Sequence, residues 1–179
     1  MRGVDEHDNP YWKTKPNPYG GRVLQLGCGA APMEDATNHD RALFAPWVDI
    51  AWDLDVMPWG IDGEWDVVCA FDLWEHLVDP YGAVNEAHRL LVPGGLLVFR
   101  MSAWDNPASF NDLTHKHRAA GEAFDYFDRR TPKAIAYSEF HPVDTLGRLP
   151  TEWHIERAFR TNADPRFGVG DIQWEMRRL

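Results

Sequence analysis

The stretch VLQLGCGAAPMEDATNHD, residues 23–40, decides the fold that the sequence predicts. A short apolar run enters a Gly-Cys-Gly turn, and an acidic residue, Asp40, follows soon afterwards. At the end of a buried strand, Gly27 lets the chain turn tightly, and Gly29 lets a ligand lie against backbone with no Cβ in between. In an open parallel sheet, ligands bind beyond the carboxyl ends of the strands. The stretch therefore predicts a ligand site at the end of the first strand.

A dinucleotide is disfavoured as the ligand of this site. The G-x-G-x-x-G fingerprint requires a third glycine at position 32, where the chain has Pro32. The acidic residue of that fingerprint is expected about 20 residues further on, whereas Asp40 lies much closer. This short spacing predicts that the helix between the first two strands is a turn or two, or absent, which leaves no full helix N-terminus for a pyrophosphate. A nucleoside without phosphates fits better, and a nicotinamide dehydrogenase is disfavoured.

Short apolar runs alternate with turns along the rest of the chain. The helix DPYGAVNEAHRLLVPGG is predicted with Asp79 as its cap, Pro80 in its first turn and PGG at its end. The predicted strands are RVLQLG, WVDIAWDLD, WDVVCAFD and LLVFRMS, followed by EWHIERAFRTN and GDIQWEMRRL as an antiparallel hairpin. The fold class is therefore α/β: a Rossmann-like, doubly wound, mainly parallel sheet, covered on both faces, with a C-terminal antiparallel hairpin.

Length and composition predict one domain. A chain of 179 residues suits a single core, so we expect an irregular arm over residues 1–21 and one domain over residues 22–179. The chain has no apolar run of membrane-spanning length and no signal-peptide core, and its two cysteines lie in apolar runs. We therefore expect a cytoplasmic protein without a membrane segment. The net charge of −10 argues against a nucleic-acid partner.

Five motifs resemble those of class I S-adenosylmethionine-dependent methyltransferases, in order and in spacing. They are LQLGCGAAP, NHD, WDLDVMPW, FDLWEHLVDP and EAHRLLVPGGLLVFR. The likeness is strongest to the compact, methyltransferase domain 11-like branch, in which the first helix is cut short. The resemblance covers residues 22–127 and implies S-adenosyl-L-methionine as cofactor and S-adenosyl-L-homocysteine as product.

The resemblance also implies which residues bind the cofactor. Asp40 would accept hydrogen bonds from the ribose hydroxyls and Asp53 from the adenine amino group, while the Leu54 N–H would meet a ring nitrogen. The Gly-Cys-Gly backbone would pass under the methionine part, which Phe71 and Asp72 would border. The implied set is Leu26, Gly27, Cys28, Gly29, Asp40, Arg41, Asp53, Leu54, Phe71, Asp72 and His76. Taken singly, each glycine or carboxylate has a purely structural interpretation as part of a turn.

The segment after the last parallel strand predicts the substrate side. A histidine titrates near neutrality and can take a proton from an attacking hydroxyl or amine. We predict His115 as general base, oriented by Asp112 or Arg118. Two alternatives are a hydrogen-bonded loop staple and a metal site, but the two histidines of the His-Lys-His sequence do not complete a set of metal ligands, so no metal is predicted.

The predicted function is transfer of a methyl group to an oxygen or nitrogen of a small-molecule or glycan-type acceptor. The motif FDLW, where base-modifying enzymes carry NPPY or DPPY, argues against methylation of nucleic-acid bases. Substrate-binding inserts are lacking, which leaves room for a partner protein. The lack of such inserts also motivates the alternative hypothesis, a catalytically inactive binding or regulatory module that keeps the cofactor fold.

Overall fold

The computed structural model describes residues 14–132, 134–135, 153–161 and 170–179, and these form one seven-stranded sheet. Its strands are β1 (Val23–Leu26), β2 (Thr37–Asp40), β3 (Ile50–Ala51), β4 (Trp65–Phe71), β5 (Leu91–Met101), β6 (Trp153–Arg160) and β7 (Ile172–Arg178). The strand order is β3-β2-β1-β4-β5-β7-β6. The first five strands are parallel, whereas β7 is antiparallel to both β5 and β6. The predicted fold class and terminal antiparallel pair are confirmed.

The strand order reverses at β1. β2 pairs with one edge of β1 and β4 with the other, and all four residues of β1 are buried. A crevice opens at the carboxyl ends of parallel strands where the order reverses in this way. The topology therefore puts the glycine turn, which directly follows β1, at the place where such sheets bind ligands.

The one long helix of the described residues, α1 (Pro80–Leu90), joins β4 to β5. Its start is as predicted, because the Gly82 N–H donates to Asp79 Oδ1 at 2.9 Å and Pro80 occupies the first turn. Its end differs from the prediction, because β5 begins at Leu91 and takes in the Pro-Gly-Gly sequence. Proline cannot continue the helical hydrogen bonds, and the strand absorbs the irregularity with Gly94 at φ +77°.

The two faces of the sheet are covered differently. One face carries the larger core, in which Phe99 stacks between Trp74 and Trp174 at ring distances of 4.8 and 5.1 Å. The other face carries a small cluster around Val67 and Val98, on which Tyr19 packs. Tyr19 belongs to the predicted arm, so its described part, residues 14–21, lies against the sheet; residues 1–13 lie outside the described residues.

The connections between the first four strands contain no helix in residues 27–36, 41–49 and 52–64, all of which the structure describes. The short first connection agrees with the spacing of the sequence. After β5, the chain forms a single helical turn, α2 (Ala108–Asn111), and a 3-10 turn at Asp125–Phe127. The turn of the terminal hairpin lies outside the described residues. No described helix is both long enough and apolar enough to cross a membrane.

Candidate active site

A pocket of about 540 Å³ opens at the carboxyl ends of the parallel strands. This volume lies within the range of small-molecule sites. Its lining combines the strand ends with the segment after α2: Gly27, His39, Asp40, Arg41, Trp52, Asp53, Leu54, Asp55, Leu73, His76, Leu77, Leu113, Thr114 and Lys116. Six of the residues that the resemblance assigned to the cofactor are among them: Gly27, Asp40, Arg41, Asp53, Leu54 and His76.

The glycine turn and Asp40 are joined by hydrogen bonds. The Gly29 N–H donates to Asp40 Oδ2 at 2.8 Å, and the Arg41 N–H donates to Oδ1 at 2.7 Å. Gly27 and Gly29 have φ of +61° and +53°, a region that other residues rarely adopt. Since each carboxylate oxygen can accept two hydrogen bonds, Asp40 keeps acceptor capacity on both oxygens for a ligand with paired hydroxyls.

His39 braces this turn from below, a role that the sequence analysis did not predict. His39 Nε2 lies 2.9 Å from the Trp52 carbonyl oxygen, and the Gly27 N–H points at Nδ1 at 3.4 Å. These partners fix the neutral tautomer, with Nε2–H as donor and Nδ1 as acceptor. Burial also lowers the pKa of His39 and favours the uncharged ring. The one sign of this role in the sequence is that a histidine directly precedes Asp40.

Two ion pairs lie along the wall of the pocket. Arg41 contacts Asp53 at 2.6 Å, and Lys116 contacts Asp55 at 3.2 Å. The Arg41 side chain is 78% exposed, so its pair with Asp53 contributes little to stability. A ligand amino group can therefore replace Arg41 at the Asp53 carboxylate for a small loss of free energy.

The remaining predicted cofactor residues are not part of the pocket lining. Leu26 is fully buried at the end of β1, and burial raises the pKa of the Cys28 thiol to about 12, so that this thiol is unreactive. Asp72 follows β4 with φ +58° and pairs with Arg100 at 2.5 Å. The Arg100 guanidinium also lies over the Phe71 ring at 5.5 Å. This ion pair directs the Asp72 carboxylate toward β5.

A polar cluster borders the pocket at its other end. The Thr114 hydroxyl lies 2.6 Å from Asp112 Oδ1 and 3.0 Å from His76 Nδ1. His115 Nε2 lies 3.8 Å from Asp112 Oδ2, and the rings of His76 and His115 meet edge to face at 4.7 Å. The hydrogen bonds from Thr114 lower the pKa of the Asp112 carboxyl, which keeps it ionised. The structure thus brings together the predicted Asp112 and His115 and adds His76 and Thr114 to them.

Arg118, the third residue predicted for catalysis, is held differently. Its Nε–H donates to the Ser109 carbonyl oxygen at 3.2 Å, and its guanidinium lies over the Phe110 ring at 4.2 Å. These contacts tie Arg118 to α2 rather than to Asp112.

The chemistry of the lining fits S-adenosylmethionine. Three carboxylates against two cations favour a ligand with a positive charge. The apolar side chains suit the faces of a purine: Trp52, Leu54, Leu73 and Leu77. A Cβ added to Gly27 would come within 3.0 Å of Leu73, so the pocket is narrow where the methionine part is expected to pass.

Comparison with known proteins gives the same result. A family model described as a methyltransferase domain matches residues 10–139. An uncharacterized 37.1 kDa protein of transposon Tn4556 from Streptomyces fradiae is 33% identical over 86 residues, which are 48% of this chain and 24% of that protein. The match therefore spans about a quarter of the length of this curated relative.

Two solved structures share the fold. An S-adenosylmethionine-dependent methyltransferase from Mesorhizobium loti has a TM-score of 0.54 at 13% identity, over 89% of this chain and 91% of that one. The N-methyltransferase NodS from Bradyrhizobium japonicum WM9, in complex with S-adenosyl-L-homocysteine, has a TM-score of 0.50 at 15% identity, over 98% and 93%. The resemblance to class I S-adenosylmethionine-dependent methyltransferases that the motifs indicate is confirmed, and with it an enzyme family whose cofactor is S-adenosylmethionine. The chain belongs to the methyltransferase-domain family.

Proposed function

We propose that this chain transfers the methyl group of S-adenosylmethionine to an oxygen or nitrogen of a small-molecule or glycan-type acceptor, and that residues 22–179 act as one domain. The observation that carries the proposal is a single pocket. It joins Asp40 and Asp53, which suit a nucleoside, to His76 and Thr114, which suit a proton-bearing acceptor. A cofactor and an acceptor must meet in one cavity for direct transfer.

On the cofactor side, we propose that the residues of the pocket wall bind as the resemblance implies. Asp40 would accept the two ribose hydroxyls on the oxygen lone pairs that Gly29 and Arg41 leave open. Asp53 would accept the adenine amino group, while Leu54 contacts the ring. When bound, S-adenosylmethionine supplies an electrophilic methyl group on a sulfonium centre.

On the acceptor side, the segment after β5 exposes three large apolar side chains among its polar ones. Leu113, which lines the pocket, is 96% exposed, and Trp104 and Phe110 are 55% and 57% exposed. Aromatic and aliphatic side chains contact the apolar faces of sugars and small metabolites. We propose that this segment meets the acceptor, either alone or together with a partner protein.

The proton of the acceptor needs a base, unless the acceptor is already neutral or anionic at the attacking atom. We propose His115 for this role, with His76 beside it on the pocket wall. The Asp112 carboxylate orients His76 through the Thr114 hydroxyl and faces His115 directly. Arg118 would act as a positioning residue, because its contacts with Ser109 and Phe110 fix the backbone on either side of this segment.

Calorimetric titration tests the cofactor part of this proposal. The full chain is titrated with S-adenosylhomocysteine, S-adenosylmethionine and NAD. We expect micromolar binding of the two sulfur nucleosides and none of NAD. A panel of sugars, phenols and amines is then assayed for release of S-adenosylhomocysteine. Failure of both sulfur nucleosides to bind would overturn the proposal, and binding without turnover of any acceptor class would favour the inactive binding module.

A further inference from the structure

The cluster of His76, Asp112 and His115 has the composition of a metal site. One possible ligand atom from each of the three residues lies within 4.8 Å of those of the other two. We propose that these three side chains bind a divalent transition-metal ion such as Zn²⁺ at the acceptor side of the pocket. The His-Lys-His sequence alone does not complete a set of metal ligands, and His76 supplies a further one. It comes from a 3-10 turn after β4, far from the His-Lys-His segment along the chain.

The hydrogen bonds of His76 leave the correct nitrogen free for a metal. The ionised Asp112 carboxylate can only accept, so the Thr114 hydroxyl donates its proton to Asp112 Oδ1. The Thr114 oxygen must then accept from His76, whose Nδ1 carries the proton. His76 Nε2 is left with a lone pair. Ligand histidines are held in this way, with the second ring nitrogen donating to a neighbouring group.

His115 shows an independent sign of a missing ligand. Its side chain is only 8% exposed, and its Nδ1 is buried without a hydrogen-bond partner among the described residues. A buried polar atom without a partner is costly, and an unrecorded ion is one explanation for such an atom. Its other ring nitrogen, Nε2, already faces Asp112 Oδ2 at 3.8 Å.

The ligand set fits a site that is open on one side. Ligand atoms around a tetrahedral zinc ion lie about 3.3 Å apart, whereas those of the cluster lie within 4.8 Å of one another, so the three side chains need to approach by up to about 1.5 Å. Asp112 is half exposed, and its side chain can make that adjustment. Three protein ligands leave at least one position free, and His76 lies on the pocket wall, so the free position is at the pocket.

An ion at this site would change the role of His115. A divalent metal lowers the pKa of a hydroxyl bound to it, and the acceptor would then lose its proton to solvent without help from a histidine base. This consequence rests on the proposed methyl transfer, whereas the binding of the ion does not. His115 would serve as a metal ligand, and its replacement would weaken metal binding and turnover together.

The test is a titration of the untagged, chelator-treated full chain with ZnSO₄ by calorimetry, and with CoCl₂ by visible absorption. We expect one ion per chain, and substitutions H76Q, D112N and H115Q should each weaken binding at least about tenfold. T114V keeps all three ligands but removes the hydrogen bond that orients His76, and should weaken binding by a similar factor. H117Q is the matched control, because it removes a histidine of the same segment that lies outside the cluster.

Absence of saturable binding to the wild-type chain would overturn the proposal. Binding that survives H76Q, D112N and H115Q, or that H117Q abolishes, would overturn it as well. Circular dichroism of each variant shows whether it is folded, and T114V gives a readout with every ligand in place. S-adenosylhomocysteine is titrated into the same samples, because its binding without zinc binding would refute the metal site and leave the proposed methyltransferase function intact.

Discussion

The Gly29 N–H lies 2.8 Å from Asp40 Oδ2, so the glycine turn after β1 and the acid that ends β2 form one hydrogen-bonded unit. A second bond, from the Cys28 N–H to the His39 carbonyl oxygen at 2.9 Å, ties the same two strand ends together. The connection between β1 and β2 contains no helix, and these bonds hold the turn in its place. The Asp40 carboxylate therefore has a structural role in addition to the cofactor contact that we propose for it.

Replacing Asp40 by Asn is expected to weaken S-adenosylhomocysteine binding at least about tenfold, because the amide loses the charge and one acceptor oxygen while its volume is kept. D35N is the matched control, since Asp35 is an exposed carboxylate of the same connection with φ +49°, which Asn tolerates. Calorimetry on both variants measures the effect. Equal affinities of D40N and the wild type would remove Asp40 from the cofactor site.

Replacing Gly29 by Ala separates backbone strain from ligand contact. An added Cβ meets nothing within 4 Å at Gly29 or at Gly94, and both residues have positive φ. Both G29A and G94A should therefore lower the free energy of unfolding by about 1–2 kcal/mol, as urea denaturation would show. Only G29A should also weaken S-adenosylhomocysteine binding, because Gly94 lies in β5, away from the pocket lining. Unchanged binding by G29A would mean that no ligand lies against this glycine.

The sequence predicted the elements whose signals are local and apolar. Asp79 and Pro80 predicted the start of α1, and the apolar runs predicted β1, β4 and the terminal pair of strands. β2 carries the polar sequence TNHD, which no hydrophobic pattern identifies. The Asn38 side chain holds this strand against the Met33 backbone. Asn38 Oδ1 accepts from the Met33 N–H at 2.9 Å, and Asn38 Nδ2 donates to the Met33 carbonyl oxygen at 3.1 Å, which satisfies buried polar groups. Only the family motif pointed to Asp40 as the end of a strand.

The candidate site also contains residues that the sequence could place and residues that it could not. Gly27 directly follows β1, Asp40 ends β2 and Asp53 lies two residues beyond β3, so the topology alone brings them together. His76 and Thr114 are 38 positions apart in sequence and meet because the segment after α2 folds back on the 3-10 turn after β4. The Lys116 and His117 N–H groups both donate to the Glu75 carbonyl oxygen and fix this contact. A long-range backbone contact of this kind leaves no periodic signal in the sequence.

Protonation of His88 in acid is expected to lower the free energy of unfolding. Its ring meets Trp153 edge to face at 5.2 Å, and burial, followed by the charge of Arg178, lowers its pKa from 6.5 to about 4. Between these two pH values the unfolded chain binds more protons than the folded one. The contribution of neutral His88 to the free energy of unfolding is therefore complete above pH 6.5 and is lost as the pH falls toward 4. H88F keeps a ring against Trp153 and cannot be protonated. Urea denaturation across this interval should show a smaller loss for H88F, and identical losses would contradict the assignment.

Trp174 on β7 links the core to the segment that leads to the site. It is fully buried, stacks on Phe99 at 5.1 Å, and its Nε1–H donates to the Gly121 carbonyl oxygen at 2.9 Å. W174F keeps the stacking but leaves the Gly121 oxygen without its donor, so we expect a loss of about 1–3 kcal/mol in the free energy of unfolding.

W174A should cost about 3–5 kcal/mol, because it also opens a cavity beside Phe99. W104F is the control for removal of an indole, since Trp104 is exposed, and its effect should stay within about 0.5 kcal/mol. Denaturant titration of the three variants measures all of these values. If W174F were as stable as the wild type, the bond to Gly121 would carry no weight, and residues 119–124 would be held by the packing of Phe124 against Phe99 and Trp174 instead.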